Sequence, residues 1–122
     1  MIVLLISISY TANLSVSFDL CIVAPDSSAG DKFGNSISIY DNHLIIAARH
    51  DDDIASDSGA VHVYVRPSNV EPWKWVQKVL HPEGLSGDVF GWSTSIYDGE
   101  VVVSSQSGDV LVYGDYTGEE RR

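Results

Sequence analysis

Four aspartates crowd one short stretch of this chain: Asp51, Asp52, Asp53 and Asp57, with Ser58 directly after them. Carboxylates held so close repel one another unless water or a cation lies between them. Calcium takes about six to eight oxygens from flexible carboxylates and carbonyls, so Asp51, Asp53 and Asp57 are the candidate metal ligands. The Asp-x-Asp-x-Asp-Gly order of a calcium hand is missing, because Ala55 and Ser56 occupy the places of its third aspartate and its glycine. A solvated acidic loop explains the cluster more simply. No cofactor is expected apart from calcium at this one loop.

The remaining candidates are weaker. His43, His50, His62 and His81 fall on different stretches without metal-ligand or protease spacing. His62 sits between Val61 and Val63, which places it on the face of a strand. No nucleophile elbow, phosphate loop or dinucleotide fingerprint occurs, and the chain is not expected to be an enzyme. Trp73, Trp75 and Trp92 could stack on a sugar or anchor a partner if exposed; the expectation is that they fill space between sheets. Asn13-Leu14-Ser15 has the form of a glycosylation acceptor.

What must position these residues is a repeat. The stretch Asp31-Lys32-Phe33-Gly34-Asn35-Ser36-Ile37-Ser38-Ile39-Tyr40-Asp41 returns 57 residues later as Asp88-Val89-Phe90-Gly91-Trp92-Ser93-Thr94-Ser95-Ile96-Tyr97-Asp98. Ser58-Gly59 and Val63-Tyr64 return 49 residues later as Ser107-Gly108 and Val112-Tyr113, so the second copy lacks residues 50–57. A length change confined to one connection is how loops behave in a repeat array. Each copy reads as four strands. The first three are Ser36 to Tyr40, His43 to Ala48 and Ala60 to Arg66, repeated at Ser93 to Tyr97, Glu100 to Ser105 and Asp109 to Tyr113. The fourth is Trp73 to Leu80, whose counterpart is Phe18 to Val23. Asp41-Asn42 and Asp98-Gly99 suit tight two-residue hairpins. No stretch shows a helical period. The fold class expected is all-β, about two four-stranded antiparallel blades of a β-propeller, most simply a partial one.

At these residues the chain resembles the FG-GAP repeat family, the β-propeller repeats of integrin α-subunit heads and of many secreted proteins. The motif residues are Asp31, Phe33, Gly34 and Ser36, then Asp88, Phe90, Gly91 and Ser93, with Gly30, Gly87, Ser58-Gly59 and Val63-Tyr64 in support. The resemblance runs from Phe18 to Tyr113 in two degenerate copies. It departs from the pattern at Ala47-Ala48-Arg49 and Ser104-Ser105-Gln106, where the family has Gly-Ala-Pro. The integrin-type calcium loop between the first two strands has no room at Asp41-Asn42 or Asp98-Gly99, so the resemblance does not imply calcium.

The domain organisation that follows has four parts. Residues 1–17 are a signal-like segment or the remnant strand of a preceding blade, 18–66 the first repeat, 67–115 the second, and 116–122 a charged tail. The formal charge of −10 over 122 residues argues against nucleic acid and anionic membranes as partners. The lone Cys21 allows no internal disulfide. The function expected is a non-enzymatic module for protein binding or adhesion-like scaffolding, extracellular or at the cell surface. Its partners would be another protein or, through open blade edges, itself. The alternatives are an accessory propeller segment of a secreted carbohydrate-active enzyme and an orphan repeat fragment without independent activity.

Overall fold

The structure, a computed structural model, describes residues 20–26 and 28–114. Among these residues there are seven strands and no helix. The first sheet holds β1 (Phe33–Tyr40), β2 (His43–Ala48), β3 (Ala60–Val65) and β4 (Lys74–Val79), hydrogen-bonded in that order. The second holds β5 (Ser93–Tyr97), β6 (Glu100–Ser104) and β7 (Val110–Gly114). Every neighbouring pair is antiparallel. The all-β class and the reading as partial propeller blades both stand.

Alternation of serine with isoleucine, and valine runs between turn residues, give these strands their period. Asp41 and Asp98 take φ of 51° and 43° at the two hairpin turns, as the Asx-led pairs require. β1 starts earlier than the alternation suggests, at Phe33, and its register shifts between Phe33 and Ile37. One expected strand, Phe18 to Val23, is not formed over its described residues. Leu20 to Val23 lie outside any strand, because a strand needs a ladder partner and no described strand runs beside them. The expectations for residues 1–17 and 116–122, Asn13 included, lie outside the described residues.

The two copies share more than strand order. Lys32 and Val89, equivalent in the repeat, both adopt positive φ, at 60° and 52°. For a β-branched valine that conformation is strained, so its recurrence marks a backbone shape that the surrounding contacts impose. Gly34 and Gly91 follow at 90° and 93°. Asp31 Oδ2 accepts from Ser28 N at 3.0 Å, and Asp88 Oδ2 from Leu85 N at 2.8 Å. Tyr64 donates its hydroxyl to Val23 O, and Tyr113 donates to Leu80 O.

The core lies in the seam between the sheets. Ile45, Ala47, Val61 and Val63 of the first sheet meet Phe90, Ile96, Val101 and Val103 of the second, with Tyr40, Val79, Leu111 and Tyr113 at the margins. The inner strands come close because the residues between them are small. Ser36 Oγ lies 2.8 Å from Thr94 Oγ1 and accepts from Thr94 N, while Ser38 Oγ accepts from Ile96 N. Tyr40 packs on Tyr97 with ring centroids 4.8 Å apart.

Candidate functional site

The acidic loop joins β2 to β3, and its geometry is built around a residue that sequence reasoning passed over. Lys78, on β4, sends its ammonium group among three carboxylates. Nζ lies 2.5 Å from Asp26 Oδ2, 2.6 Å from Asp51 Oδ2 and 2.6 Å from Asp53 Oδ2. The β3–β4 ladder sets Lys78 opposite His62, so the strand register aims the lysine at the loop. Asp51 is buried and its Oδ1 also accepts from Asp53 N. Asp57 turns away and pairs with His50 Nδ1 at 2.9 Å. Of the three candidate metal ligands, then, the fold brings Asp51 and Asp53 together on a lysine and places Asp57 elsewhere.

Hydrogen bonding to Lys78 holds the Asp26 carboxyl below its ordinary value, against an opposing pull from burial. Burial on its own would lower the Lys78 pKa. The three carboxylate hydrogen bonds together outweigh it, so the ammonium is held more firmly than in water.

His62 completes the cluster from below. Ligand atoms of Asp26, Asp51 and His62 lie within 4.8 Å of one another, a spacing at which a metal ion could sit. The hydrogen bonds of His62 oppose that use. Trp75 Nε1 donates to His62 Nδ1 at 3.0 Å. An indole N–H can only donate, so Nδ1 must accept and the proton of the neutral ring sits on Nε2. Nε2 is buried without a hydrogen-bond partner and faces Asp26 Oδ1 at 3.8 Å. It therefore presents a proton to the carboxylate and no lone pair to a metal. Burial keeps the ring neutral by pushing its pKa below the usual histidine value.

The far side of the same loop docks on the second sheet. Gly87 N donates to Ser56 O, Val89 N to Asp57 O and Phe90 N to Ser58 O, at 2.9 to 3.0 Å. Gly59 lies so close to the Phe90 backbone that an added Cβ would sit 2.0 Å from Phe90 O. The loop is thus a strap across the seam, pinned by Lys78 at one side and by the backbone of Gly87, Val89 and Phe90 at the other.

The motif residues serve this construction. Asp31 and Asp88 cap their own turns, Gly34 and Gly91 supply positive φ, and Phe90 is fully buried against His81 and Tyr113. Phe33 is half-buried, edge-on to His62. Ser36 makes the hydroxyl pair with Thr94, and its repeat equivalent Ser93 is exposed. Against expectation, the tryptophans do not fill the layer between the sheets. Trp75 and Trp92 are 44% and 47% exposed and Trp73 is half-buried. Trp92 and Trp73 instead lie beneath the guanidinium groups of Arg49 and Arg66, contacts that leave ring edges in water.

Comparison with known families matched the FG-GAP repeat over residues 19–64. Residues 19–64 are an FG-GAP repeat. The matched segment spans Asp31, Phe33, Gly34 and Ser36, then the acidic loop, and ends on Tyr64, so the Lys78 network closes an FG-GAP repeat with a lysine from beyond it. Comparison with curated proteins and with solved structures returned no match.

Lys78 could have been found from the sequence only in part. Pairing Ala60–Arg66 with Trp73–Leu80 sets it across from His62. Nothing in the spacing brings Asp26 or the acidic loop over that pair, since those contacts depend on how the strap folds back. The repeat offered no guide either: Cys21 stands at the position equivalent to Lys78.

Proposed function

We propose that this propeller-type FG-GAP module is a non-enzymatic protein-binding unit that acts outside the cell. The observation that carries the reading is the pinned acidic loop. Its inner carboxylates are spent on Lys78, while Asp52, Asp53 and Ile54 keep surface in water. Ile54 lies against Gly84, next to the exposed Glu83 and Leu85. Two connecting loops therefore share one acidic rim with apolar residues in it. A rim held in one shape by internal bonds loses little freedom on binding. With a net charge of −10 behind it, it suits a partner with a basic patch and speeds their encounter.

The test is binding of the chain to a panel of purified extracellular proteins. Affinity is expected to fall with added salt, and to fall about tenfold or more in the double variant Asp52→Asn, Ile54→Ala, with folding unchanged. Binding indifferent to both salt and loop would remove the rim from the proposal, and turnover of a polysaccharide by the chain would overturn the non-enzymatic reading.

A further inference from the structure

The seam between the two sheets has two halves, and each half recurs on the opposite outer surface of the molecule. On the first sheet the seam face is Ser36, Ser38, Tyr40, Ile45, Val61 and Val63. The repeat carries these positions to Ser93, Ser95, Tyr97, Val102, Val110 and Val112. Strand alternation turns that set to the far side of the second sheet, where Val110 and Val112 are 64% and 63% exposed; Tyr97, at the strand end, is 69% exposed although its ring also reaches Tyr40. The second sheet contributes Thr94, Ile96, Val101, Val103 and Phe90 to the seam. Their equivalents are Ile37, Ile39, Leu44, Ile46 and Phe33, on the outer face of the first sheet. There Ile37 and Ile39 are 64% and 58% exposed, Phe33 and Leu44 are half-buried, and Ile46 is already buried within the chain.

We infer that a second copy of this chain docks on these faces head to tail, the outer side of its first sheet against the outer side of the second sheet of its neighbour. The argument is complementarity already realised once within the molecule. A face of nearly the same residues as the first sheet's seam side is presented to water at one end, and the counterpart of its mate at the other. The hydrogen bonds carry over too. Ile96 N donates to Ser38 Oγ in the seam, so Ile39 of one copy has Ser95 of the next as acceptor. Position 37 departs from the pattern: isoleucine replaces the threonine whose hydroxyl meets Ser36, which exchanges one polar contact for apolar area.

The sheet edges agree with this arrangement. Among the described residues the second sheet has three strands where the first has four, and nothing described pairs with the outer side of β7. Leu20 to Val23 are equivalent to Gln77 to Leu80, the end of β4 and the residue after it, yet they lie outside any strand, with Leu20 and Val23 exposed. Laid along β7 of the neighbouring copy, they become its missing fourth strand and lead into the first sheet of their own chain, as β4 leads into the second. The contact is heterologous, so repeated application closes a ring or runs on as a fibre. A propeller closes at roughly four to eight blades, or about two to four copies at two sheets each.

The test uses the full chain and two surface variants, Ile39→Asp on one outer face and Val112→Asp on the other, with mass measured by sedimentation. The wild type is expected to associate with rising concentration. Each variant alone is expected to be a monomer, and an equimolar mixture a dimer, since each retains the face that the other has lost. A wild type that stays monomeric at high micromolar concentration overturns the inference, whether its faces are covered by other blades of a longer polypeptide or by nothing. A mixture that stays monomeric overturns it as well. A two-fold contact between like faces would leave one variant dimeric by itself, which also overturns it. Cooperative melting of each variant is checked first, with Ile37→Asp and Val110→Asp as replacements on the same faces. The strand register has a separate readout. Cys21 is equivalent to Lys78 and Leu111 to His62, which pair in the β3–β4 ladder, so Leu111→Cys is expected to give a disulfide-linked species between chains on mild oxidation. Val112→Cys, on the other side of the strand, is expected to give none.

Discussion

Gly59 shows how much of this fold depends on single backbone positions. It has φ of 85°, and it forms a parallel bridge with Phe90 at a distance that leaves no room for a side chain. A methyl group here meets backbone, which cannot swing aside as a side chain would. Gly59→Ala is therefore expected to cost roughly 3 kcal/mol or more, from strain and from displacement of the strap together, as read from urea unfolding. Gly108, its repeat equivalent, has φ of 105° but open space around the added Cβ. Gly108→Ala should cost only the conformational strain, about 1 kcal/mol. The contrast separates what a glycine does for its own turn from what it does for a neighbour. The sequence makes the two glycines look alike, since both follow a serine in the same motif. Only the longer loop of the first copy reaches across to the second sheet, and that is a property of the fold.

At the scale of the element, the acidic loop and β4 form one electrostatic unit. Replacing Lys78 by Met leaves Asp51 buried and without its counter-charge, at an expected cost of about 3 kcal/mol. The pH dependence follows from the directions of the shifts. Asp26 has a folded pKa below its ordinary 3.8. Its contribution is present above that value and is lost as pH falls through the still lower folded value. His62 has a folded pKa below its ordinary 6.5. Below pH 6.5 the unfolded chain takes up a proton that the folded one declines, so stability begins to fall there as acid is added. Melting temperature is thus expected to decline in two stages, and His62→Gln to remove the first while lowering the overall level. Calcium offers a further check. With Lys78 in place, millimolar calcium and chelator should give the same melting temperature. In Lys78→Ala the carboxylates of Asp26, Asp51 and Asp53 lose their cation, and calcium is expected to raise the melting temperature of that variant. A calcium-dependent shift in the wild type would show that the lysine does not close the site. Clustered aspartates were legible as a cation-seeking group, but the identity of the cation, a side chain from a strand that follows the loop in sequence, was not.

The whole molecule follows from one geometric rule, that each sheet hides one face against the next. Strand order, hairpin turns and the Phe-Gly motif were all legible because the repeat states them twice. The rim loops and the tryptophans were less so, because their contacts join parts of the chain that no periodicity relates. The rule also predicts an asymmetry between two residues that the sequence makes equivalent. Phe90 is fully buried in the seam, and Phe90→Ala is expected to cost about 3–5 kcal/mol and to unfold both sheets together, since the core belongs to neither alone. Phe33 occupies the same position on the outer face, where it is half-buried. In a dilute, monomeric sample Phe33→Ala should cost clearly less, because less apolar area returns to water. As concentration rises and a second copy covers that face, the cost of Phe33→Ala should climb toward that of Phe90→Ala. The two substitutions can be compared by urea unfolding at two protein concentrations. Equal costs at low concentration would mean that the outer face is already covered within one chain; a gap that persists at high concentration would mean that nothing comes to cover it.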